Sequence, residues 1–586
     1  MNRRRWTRFL CVLVLTIAPA AVLARPELDP GQLPKSTIFY FAWHGTPDEA
    51  RTANSLLALW DDADFAPVRA AMLEGMLGKP SAAQKAQTAV TREELTAYAT
   101  LLDNEFIFGY LANPNPAKNP DTTSPNASMT STWNGAFFVY DRTGKQALLA
   151  KLMLRIRMSE KDAPKMSATT IAGIPAMKIE QKSGTSYYAE DGQYAFGASE
   201  PAVFEQVAAW CKHGKPASNL AQNAAYREAA DFLKSGVVQF FFRFPSIREM
   251  NWDASPGGFR VRPILQNLKL EAVHAVAGHV ILDGARTRMQ GAVLGEAEPG
   301  TLFDIWGEGT AAPYSWNLVN ANTISYHQSQ INLLGVHALI KQAMQSATPK
   351  QQSPMDFIDA TITARLGMPI QEALGLFSGE FAGIQTSATL DPAKRVYILG
   401  IRKKPETLKL LRAGLGNRII SERSEGTTTF FKASEGGTDS SAGTASWKYY
   451  HIGVTNEVIV FSKRYESVRE TLASSNSASS TGPGAQPTSQ KWQVFRTQFP
   501  AKVNGLSFLD FQKVDWGAVK ERWQTESHQG SAAAGANRKT NTDTQAGAFA
   551  TALKDLDPQV FARHLHFSAG ASWKDASGLH FDGWIE

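Results

Sequence analysis

The chain has 586 residues, a formal net charge of +6, 43% hydrophobic residues and two cysteines. This length and apolar content suffice for an ordinary core, and we expect two or more domains. Four of the arginines lie in the first eight residues, and without them the net charge is +2, which excludes a general attraction to nucleic acid or anionic lipid.

The first residues have the pattern of a signal peptide. Four arginines (Arg3, Arg4, Arg5 and Arg8) precede an apolar stretch from Phe9 to Ile17. Small residues follow, and Val22-Leu23-Ala24 is the predicted cleavage box. We interpret residues 1–24 as a signal peptide and expect a periplasmic or extracellular protein, with an uncleaved anchor as the alternative. No later apolar stretch reaches the roughly 20 residues of a membrane span.

The cysteine count excludes an intrachain disulfide and a thiolate metal cluster in the mature chain. Cys11 lies in the signal peptide, so Cys211 alone remains and has no partner for an intrachain disulfide or a thiolate metal cluster. Cys211 is followed by Lys212 and His213, a setting that can lower the pKa of a thiol. Basic residues also complement the dipole at the end of a helix, so this pattern is a weak indication of reactivity.

The most informative feature is internal similarity in the same order along the chain. Matching first strands begin at Thr37-Ile38-Phe39-Tyr40 and Thr323-Ile324-Ser325-Tyr326, and next come the matching pairs Glu105-Phe106 and Glu380-Phe381. Next come matching strands at 137–140 and 396–399, each followed by a helix, and strand pairs that contain Tyr187-Tyr188 and Tyr449-Tyr450. Apolar strands at 193–197 and 457–461 are again each followed by a helix. The last matches are strands 237–244 and 505–511 and the glycine-containing hairpins 272–293 and 564–585. The order predicts two copies of one unit, at residues 33–300 and 320–586.

The pattern predicts an α+β fold. Hairpins joined by short turns favour an antiparallel or mixed sheet, with the helices packed on one face. Phe240-Phe241-Phe242 does not alternate with polar residues, so we expect that strand to be covered on both sides. The sequence leaves open whether the copies stack sheet against sheet or form one continuous sheet. Ser/Gly-rich tracts at 434–446, 474–490 and 525–544 are predicted loops.

Motifs for catalysis and cofactor binding are missing from the sequence. There is no serine nucleophile elbow, no phosphate loop and no zinc helix of the His-Glu-x-x-His type, so we predict no catalytic, cofactor or metal residues. Ser199 is interpreted as the cap of the following helix. Clustered aromatic residues such as Phe39 to Trp43 are expected in the core, and only an exposed concave surface would make them ligand-binding.

Several titratable residues have a functional and a structural interpretation. His564 and His566 fall two apart on a predicted strand, as two metal ligands would, but His566 also matches His274 in the first copy. The acidic group Asp61, Asp62 and Asp64 lacks the glycine and distal glutamate of a calcium loop, which favours a turn. Glu105 and Glu380 could be catalytic, but a hydrogen bond to a neighbouring loop is the expectation we prefer.

The whole layout resembles exported bacterial proteins that contain a duplicated α+β domain of unknown function. The resemblance is carried by the signal peptide, Leu33-Pro34-Lys35 before the first strand, Gly379-Glu380-Phe381 and the terminal hairpin. It implies an exported location and a duplicated architecture, and it offers no catalytic residues.

We therefore expect an exported, non-catalytic binding or interaction protein of the bacterial envelope, whose partner is a protein, a glycan or an apolar ligand. Two alternatives remain at this point. The first is a secreted or periplasmic hydrolase with a scattered active site, because catalytic groups are recognised by geometry and not by order in the chain. The second is a structural or assembly factor of the envelope.

Overall fold

The computed structural model describes residues 28–77, 97–98, 100–112, 135–158, 165–181, 184–213, 218–234, 236–244, 266, 268–347, 354–434, 449–478, 497–533, 552, 554 and 556–586. The predicted signal peptide lies outside these residues. Of the three predicted loops, only 434, 474–478 and 525–533 are described. Residues 474–478 and 525–533 continue helices, so the predicted starts of those two loops are wrong. No helix in the described ranges is long and apolar enough to cross a membrane.

Twenty strands form one sheet. The strands of the first half are β1 (Thr37–Trp43), β2 (Phe106–Leu111), β3 (Ala136–Asp141), β4 (Lys165–Ile171), β5 (Ile174–Gln181), β6 (Gly184–Asp191), β7 (Tyr194–Ala198), β8 (Val238–Arg243), β9 (Val273–Asp283) and β10 (Arg286–Gly295). Those of the second half are β11 (Ser325–Gln330), β12 (Phe377–Gln385), β13 (Val396–Ile401), β14 (Ile419–Glu425), β15 (Thr428–Ser434), β16 (Tyr449–Val454), β17 (Val458–Ser462), β18 (Gly505–Asp510), β19 (Phe567–Asp575) and β20 (Gly578–Ile585).

The strand order of the first half recurs in the second. The spatial order is β4-β5-β6-β7-β3-β2-β1-β8-β9-β10, and β10 pairs with β20. From β20 the sheet continues β19-β18-β11-β12-β13-β17-β16-β15-β14, and every ladder between described strands is antiparallel. The α+β class with an antiparallel sheet is therefore confirmed, and the halves share one continuous sheet.

The residue register of the two halves agrees with the sequence matches. Phe106 lies opposite Tyr140 in the first half, and Phe381 lies opposite Leu399 in the second. In the two hairpins, Gly278 pairs with Gly291 and Gly570 pairs with Gly583. The tyrosine pairs are an exception. Tyr188 lies opposite Gly197, and Gly197 matches Phe461 of the second half. The residue opposite Phe461 is Ile452 and not a tyrosine. Those tyrosines share matching strands but not matching positions.

Thirteen α-helices are described. They are α1 (Asp48–Ala53), α2 (Ser55–Asp61), α3 (Ala66–Leu77), α4 (Gln146–Met158), α5 (Pro201–His213), α6 (Ala224–Glu228), α7 (Leu333–Ala347), α8 (Pro354–Leu366), α9 (Ile370–Gly375), α10 (Lys404–Leu415), α11 (Tyr465–Ala478), α12 (Trp516–Ala533) and α13 (Gln559–His564).

Helices contact both faces of the sheet. Successive side chains of a strand point to opposite faces, and in β3 Val139 packs with Phe204 of α5 while Tyr140 packs with Leu149 of α4. We call the face of Val139 the core face and that of Tyr140 the aromatic face. The expectation of helices on one face is therefore wrong, because alternating residues of one strand meet helices on opposite sides.

The strand with three consecutive phenylalanines shows the same alternation. Phe241 is fully buried on the core face, whereas Phe240 and Phe242 are only half-buried on the aromatic face. The expectation that this strand is covered on both sides is therefore only partly met. Tyr40 and Trp43 of the first strand are buried, as predicted for that aromatic cluster.

Side chains of both halves meet at the junction of β10 and β20. Asp582 is 6% exposed and accepts hydrogen bonds from Nε (2.9 Å) and Nη2 (2.5 Å) of Arg288 and from Nε2 of Gln290 (3.1 Å). Charge-assisted bidentate pairs are the stronger class of hydrogen bond. Residues about 290 positions apart in the chain are thereby joined at the centre of the sheet.

Helices of the first half also pack on helices of the second. Phe65 and Val68 share a cluster with Trp516 and Val519 of α12 and Val560 of α13. The two halves therefore share buried apolar surface as well as a sheet, and neither has a core of its own at this end.

Removal of the Asp582 carboxylate tests the junction. Asp582→Ala should lower the free energy of unfolding by about 2 kcal/mol, since hydrogen bonds to charged groups contribute about 1.5–3 kcal/mol. Urea denaturation of Asp582→Ala, Arg288→Ala and the double variant measures the coupling between the two residues. Additive losses within about 0.5 kcal/mol, the usual additivity limit, would contradict the paired geometry.

Because of His279, we expect the folded protein to lose stability in mild acid. Its Nδ1 donates to the carbonyl oxygen of Phe232 at 2.9 Å, and burial lowers the pKa of the imidazole. The folded state keeps the ring neutral while the unfolded chain binds a proton below a pH of about 6.5, so stability falls as pH decreases from about 6.5. Compared with His279→Gln, the wild type should lose up to about 1.4 kcal/mol more between pH values of about 6.5 and 5.5. Equal losses in urea denaturation at these two pH values would refute this role.

Candidate functional site

On the aromatic face, the centre of the first half is covered by helices. Trp43, Val238 and Val280 occupy neighbouring positions on β1, β8 and β9, and they pack with Ala50 of α1 and Leu57 of α2. All three strand residues are buried. These positions are core positions in this half.

The matching positions of the second half hold small residues that are exposed or half-buried. Through the shared register, Trp43, Val238 and Val280 correspond to Ser329, Gly505 and Ser572. Ser329 and the neighbouring Ser507 are exposed. We name the serine basin by its floor residues, which all lie on the aromatic face of β11, β18, β19 and β20: Ser325, Ser329, Gly505, Ser507, Ser568, Gly570, Ser572 and Gly583.

The helices that follow β11 take a different course from those that follow β1. Whereas α2 packs on strand residues, α7 contacts α8, α9 and the turn Leu302–Ile305. In the described ranges, no helix packs on the floor in the way that α2 packs on the first half, and two serines of the floor are exposed to solvent. Large apolar side chains here would be exposed, so small residues suit an open surface.

Aromatic rings border the basin on two sides. On the β20 side, the ring of Phe581 lies over Gly291 of β10, in space that a Cβ atom would need. On the β12 side, the ring of His327 lies over Gly383, 6.2 Å from the ring of Phe381. Both rings lean away from the floor, which keeps it open. The span from β20 to β12 is about 19 Å at normal strand spacing.

Packed apolar residues close the two ends. At one end, Leu509 and Ile585 of the aromatic face join the cluster of Trp516 and Phe65. At the other, Phe303 packs on Leu579. Between these ends, Ser325 to Ser329 span about 14 Å of strand. Aromatic rings therefore border the floor at its sides, and packed apolar residues border its ends.

The basin is uncharged and rich in hydroxyl groups. None of its eight floor residues is ionisable. Burial and the nearby Arg395 lower the pKa of His327, which is therefore neutral at pH 7. Gln385 lies opposite Ser325 on the same face and is fully buried. Its Nε2 donates to Asp391, but its Oε1 finds no hydrogen-bond partner among the described residues.

Serine hydroxyls both donate and accept hydrogen bonds, and flat rings offer apolar contact. The arrangement can therefore bind a neutral polar molecule. Among the described contacts of the floor, no histidine or carboxylate is hydrogen-bonded to one of its serines.

The matched glutamates lie elsewhere and hold the loop before each first strand. Glu380 accepts hydrogen bonds from the backbone N–H groups of Tyr314 (3.0 Å) and Ser315 (2.8 Å). Glu105 accepts one from Leu28 at 3.1 Å, the position that matches Tyr314. The structural interpretation of both glutamates is confirmed, because each carboxylate bonds a neighbouring loop at the same place in its half.

The histidines and aspartates do not form a metal site. His564 ends α13 and contacts Asp62 at 2.8 Å, whereas His566 lies beyond the helix, so the expectation that both lie on one strand is wrong. Asp62 also accepts from the backbone of Asp64, as expected for a turn. His274 pairs with Glu228. Within the described ranges, no three His, Cys, Asp or Glu side chains converge as a metal requires.

Cys211 and Ser199 each have an interpretation from the sequence that the structure tests. Burial raises the pKa of Cys211 to about 12, so the neighbouring basic residues do not activate it. The helix after Ser199 begins at Pro201. The carbonyl oxygen of Glu200 accepts the first hydrogen bond of this helix, from the backbone N–H of Phe204. Glu200 and not Ser199 therefore holds the cap position.

A serine, a histidine and an aspartate meet at the turn between β19 and β20. Both Ser577 Oγ (3.1 Å) and Asp575 Oδ1 (2.9 Å) contact Nε2 of His580, and Ser577 also donates to Asp575. In a catalytic triad the serine and the carboxylate use different ring nitrogens. This group therefore stabilises a turn.

Comparisons with protein-family models, with curated proteins and with solved structures found no match. The resemblance to exported proteins with a duplicated domain stays a prediction.

Glu380→Gln tests the structural assignment. An amide oxygen cannot replace both carboxylate oxygens, so the variant should lose about 1–3 kcal/mol of unfolding free energy. Glu105→Gln should lose less, because its amide oxygen can still accept the one hydrogen bond from Leu28. Thermal or urea denaturation measures both. Unchanged stability of Glu380→Gln would contradict the role assigned to this carboxylate.

Proposed function

We propose that this chain is an exported, non-catalytic binding protein of the bacterial envelope, built from two copies of one α+β unit, with the serine basin as its binding surface. The observation that carries the proposal is the contrast with Trp43, Val238 and Val280, which are core residues in the first half. In the second half, the matching Ser329 is exposed, and Gly505 and Ser572 are half-buried.

Shared strand order and register support the duplication. Ten strands pair in the same order in each half, and the glutamates at matching positions bind matching loop amides. When a unit is duplicated, residues that the fold needs stay alike, and positions that the fold does not need are free to change. The basin floor consists mainly of positions that differ between the two halves and that the fold does not need.

Charge and the start of the sequence support export and binding. The predicted signal peptide directs the chain out of the cytoplasm, and the remaining net charge of +2 provides no general attraction to polyanions. The basin presents a floor of small residues bordered by aromatic rings.

Ser507→Phe tests the binding surface by introducing the residue that the first half carries. The residue of the first half that matches Ser507 is Phe240, whose ring lies over Gly278. Gly570 is the residue of the second half that matches Gly278, and it lies opposite Ser507. The variant should keep the stability of the wild type or exceed it slightly, because an aromatic ring over a strand glycine is favourable. It should lose the molecule that co-purifies with the mature wild-type protein from its native host.

Ser421→Phe is the matched control. Ser421 is an exposed strand residue on β14, far along the sheet from the basin, and the same substitution there should leave co-purification intact. Mass spectrometry and sugar analysis of the eluates provide the readout. Retention of the same molecule by Ser507→Phe, or turnover of a hydrolase substrate that Glu105→Gln or Glu380→Gln abolishes, would overturn the proposal.

A further inference from the structure

We propose that the serine basin binds a neutral glycan chain, an assignment that rests on the proposed function and names its ligand. The juxtaposition that carries it is a floor of serine hydroxyls between the rings of Phe581 and Phe381.

The chemistry of the floor favours a hydroxyl-rich partner over an apolar one. Five serines contribute side-chain hydroxyls to one open surface, among them Ser507 and Ser329, which are exposed. A lipid chain would leave these hydroxyls without partners on contact, which costs free energy. A sugar chain has donors and acceptors along its whole edge and can satisfy hydroxyl groups of both roles.

The borders favour the apolar faces of sugar rings. Phe581 and Phe381 lie on opposite sides of the floor and are half-buried, so part of each ring remains accessible. Pyranose rings carry C–H groups on one face, and such faces pack on aromatic rings. Polar groups that fix orientation between aromatic walls are the usual composition of a small-molecule site.

The charge of the basin selects a neutral chain. The eight named floor residues carry no ionisable group. His327 lies opposite Ser507 on the same face, and burial and the nearby Arg395 lower its pKa, which favours the neutral ring. An anionic glycan would gain no ion pair from the floor. A protein partner is less suited, because protein interfaces are built around aromatic and arginine anchors that insert into pockets, and this floor is shallow.

A buried group beside the floor provides an independent indication. Gln385 is fully buried next to Ser325, and its Oε1 has no hydrogen-bond partner among the described residues. The matching residue of the first half is Tyr110, so the fold does not require an amide here. Because this oxygen is closed to solvent, a hydroxyl group or water would reach it only when neighbouring side chains move on ligand binding.

The test uses purified mature full-length protein and neutral oligosaccharides as probes. Isothermal titration with hexasaccharides of β-1,4-linked N-acetylglucosamine, β-1,4-linked glucose, β-1,3-linked glucose and α-1,4-linked glucose should show binding of at least one. Affinity should rise from the disaccharide to longer chains, because the floor is about 14 Å long. Ser507→Phe should abolish that binding, and Ser421→Phe should leave it unchanged.

Smaller substitutions separate the contributions of the floor and its border. Ser507→Ala and Ser572→Ala each remove one hydroxyl and should weaken binding roughly 2- to 10-fold, the range of one net hydrogen bond. Phe581→Met introduces the matching residue Met289 of the first half and should weaken binding without unfolding the protein. Circular dichroism melting of each variant confirms the fold.

The outcomes distinguish ligand class from binding surface. If no oligosaccharide binds but a lipid or a protein from the host is retained by wild type and lost by Ser507→Phe, the glycan assignment is refuted and the basin remains the binding surface. If oligosaccharides bind equally well to Ser507→Phe, the location is refuted. If wild type retains nothing of any class, both proposals fail.

Discussion

The pairing of β10 with β20 is the constraint on which the rest of the structure depends. It satisfies the backbone groups of both central strands, which would otherwise be exposed sheet edges. Gln290 lies opposite Asp582 in this ladder, and these two residues hold matching positions in their hairpins. The ladder thus makes one continuous sheet, with one half following the other in reverse spatial order. Both halves present their aromatic faces to the same side, and the basin lies beside this junction.

Much of the fold could be predicted from the sequence, because strand segments, hairpin glycines and matched glutamates are local patterns. The sequence match of Glu105-Phe106 with Glu380-Phe381 agrees with the matching positions of Phe106 and Phe381 in the sheet. The joining of the halves could not be predicted, since it depends on which edges meet, and neither could the contact of α2 and α3 with α12 and α13. Helices on both faces could not be inferred, because an apolar stripe shows that a helix is packed and not where.

The basin has no signature among the residues that the two halves share. Matching residues such as Glu105 and Glu380 stand out in the sequence, and these hold loops. The informative positions are those that differ, such as Phe240 and Ser507. Recognising them requires the strand register, because a serine in a strand is ordinary until its neighbours on the same face are also small. Positions that differ between the two matching halves of the sheet are thus where function is to be sought.

The most direct measurement of this account is hydroxyl-radical footprinting of the mature protein with and without the oligosaccharide that binds most tightly. Aromatic side chains react readily, and the border of the basin carries several. A ligand bound in the basin should lower oxidation of Phe581 and Phe381, while Phe357 of α8, which is 71% exposed, should react as before. Unchanged oxidation of Phe581 and Phe381 in the saturated complex, or protection confined to Phe357, would contradict a binding surface between these rings.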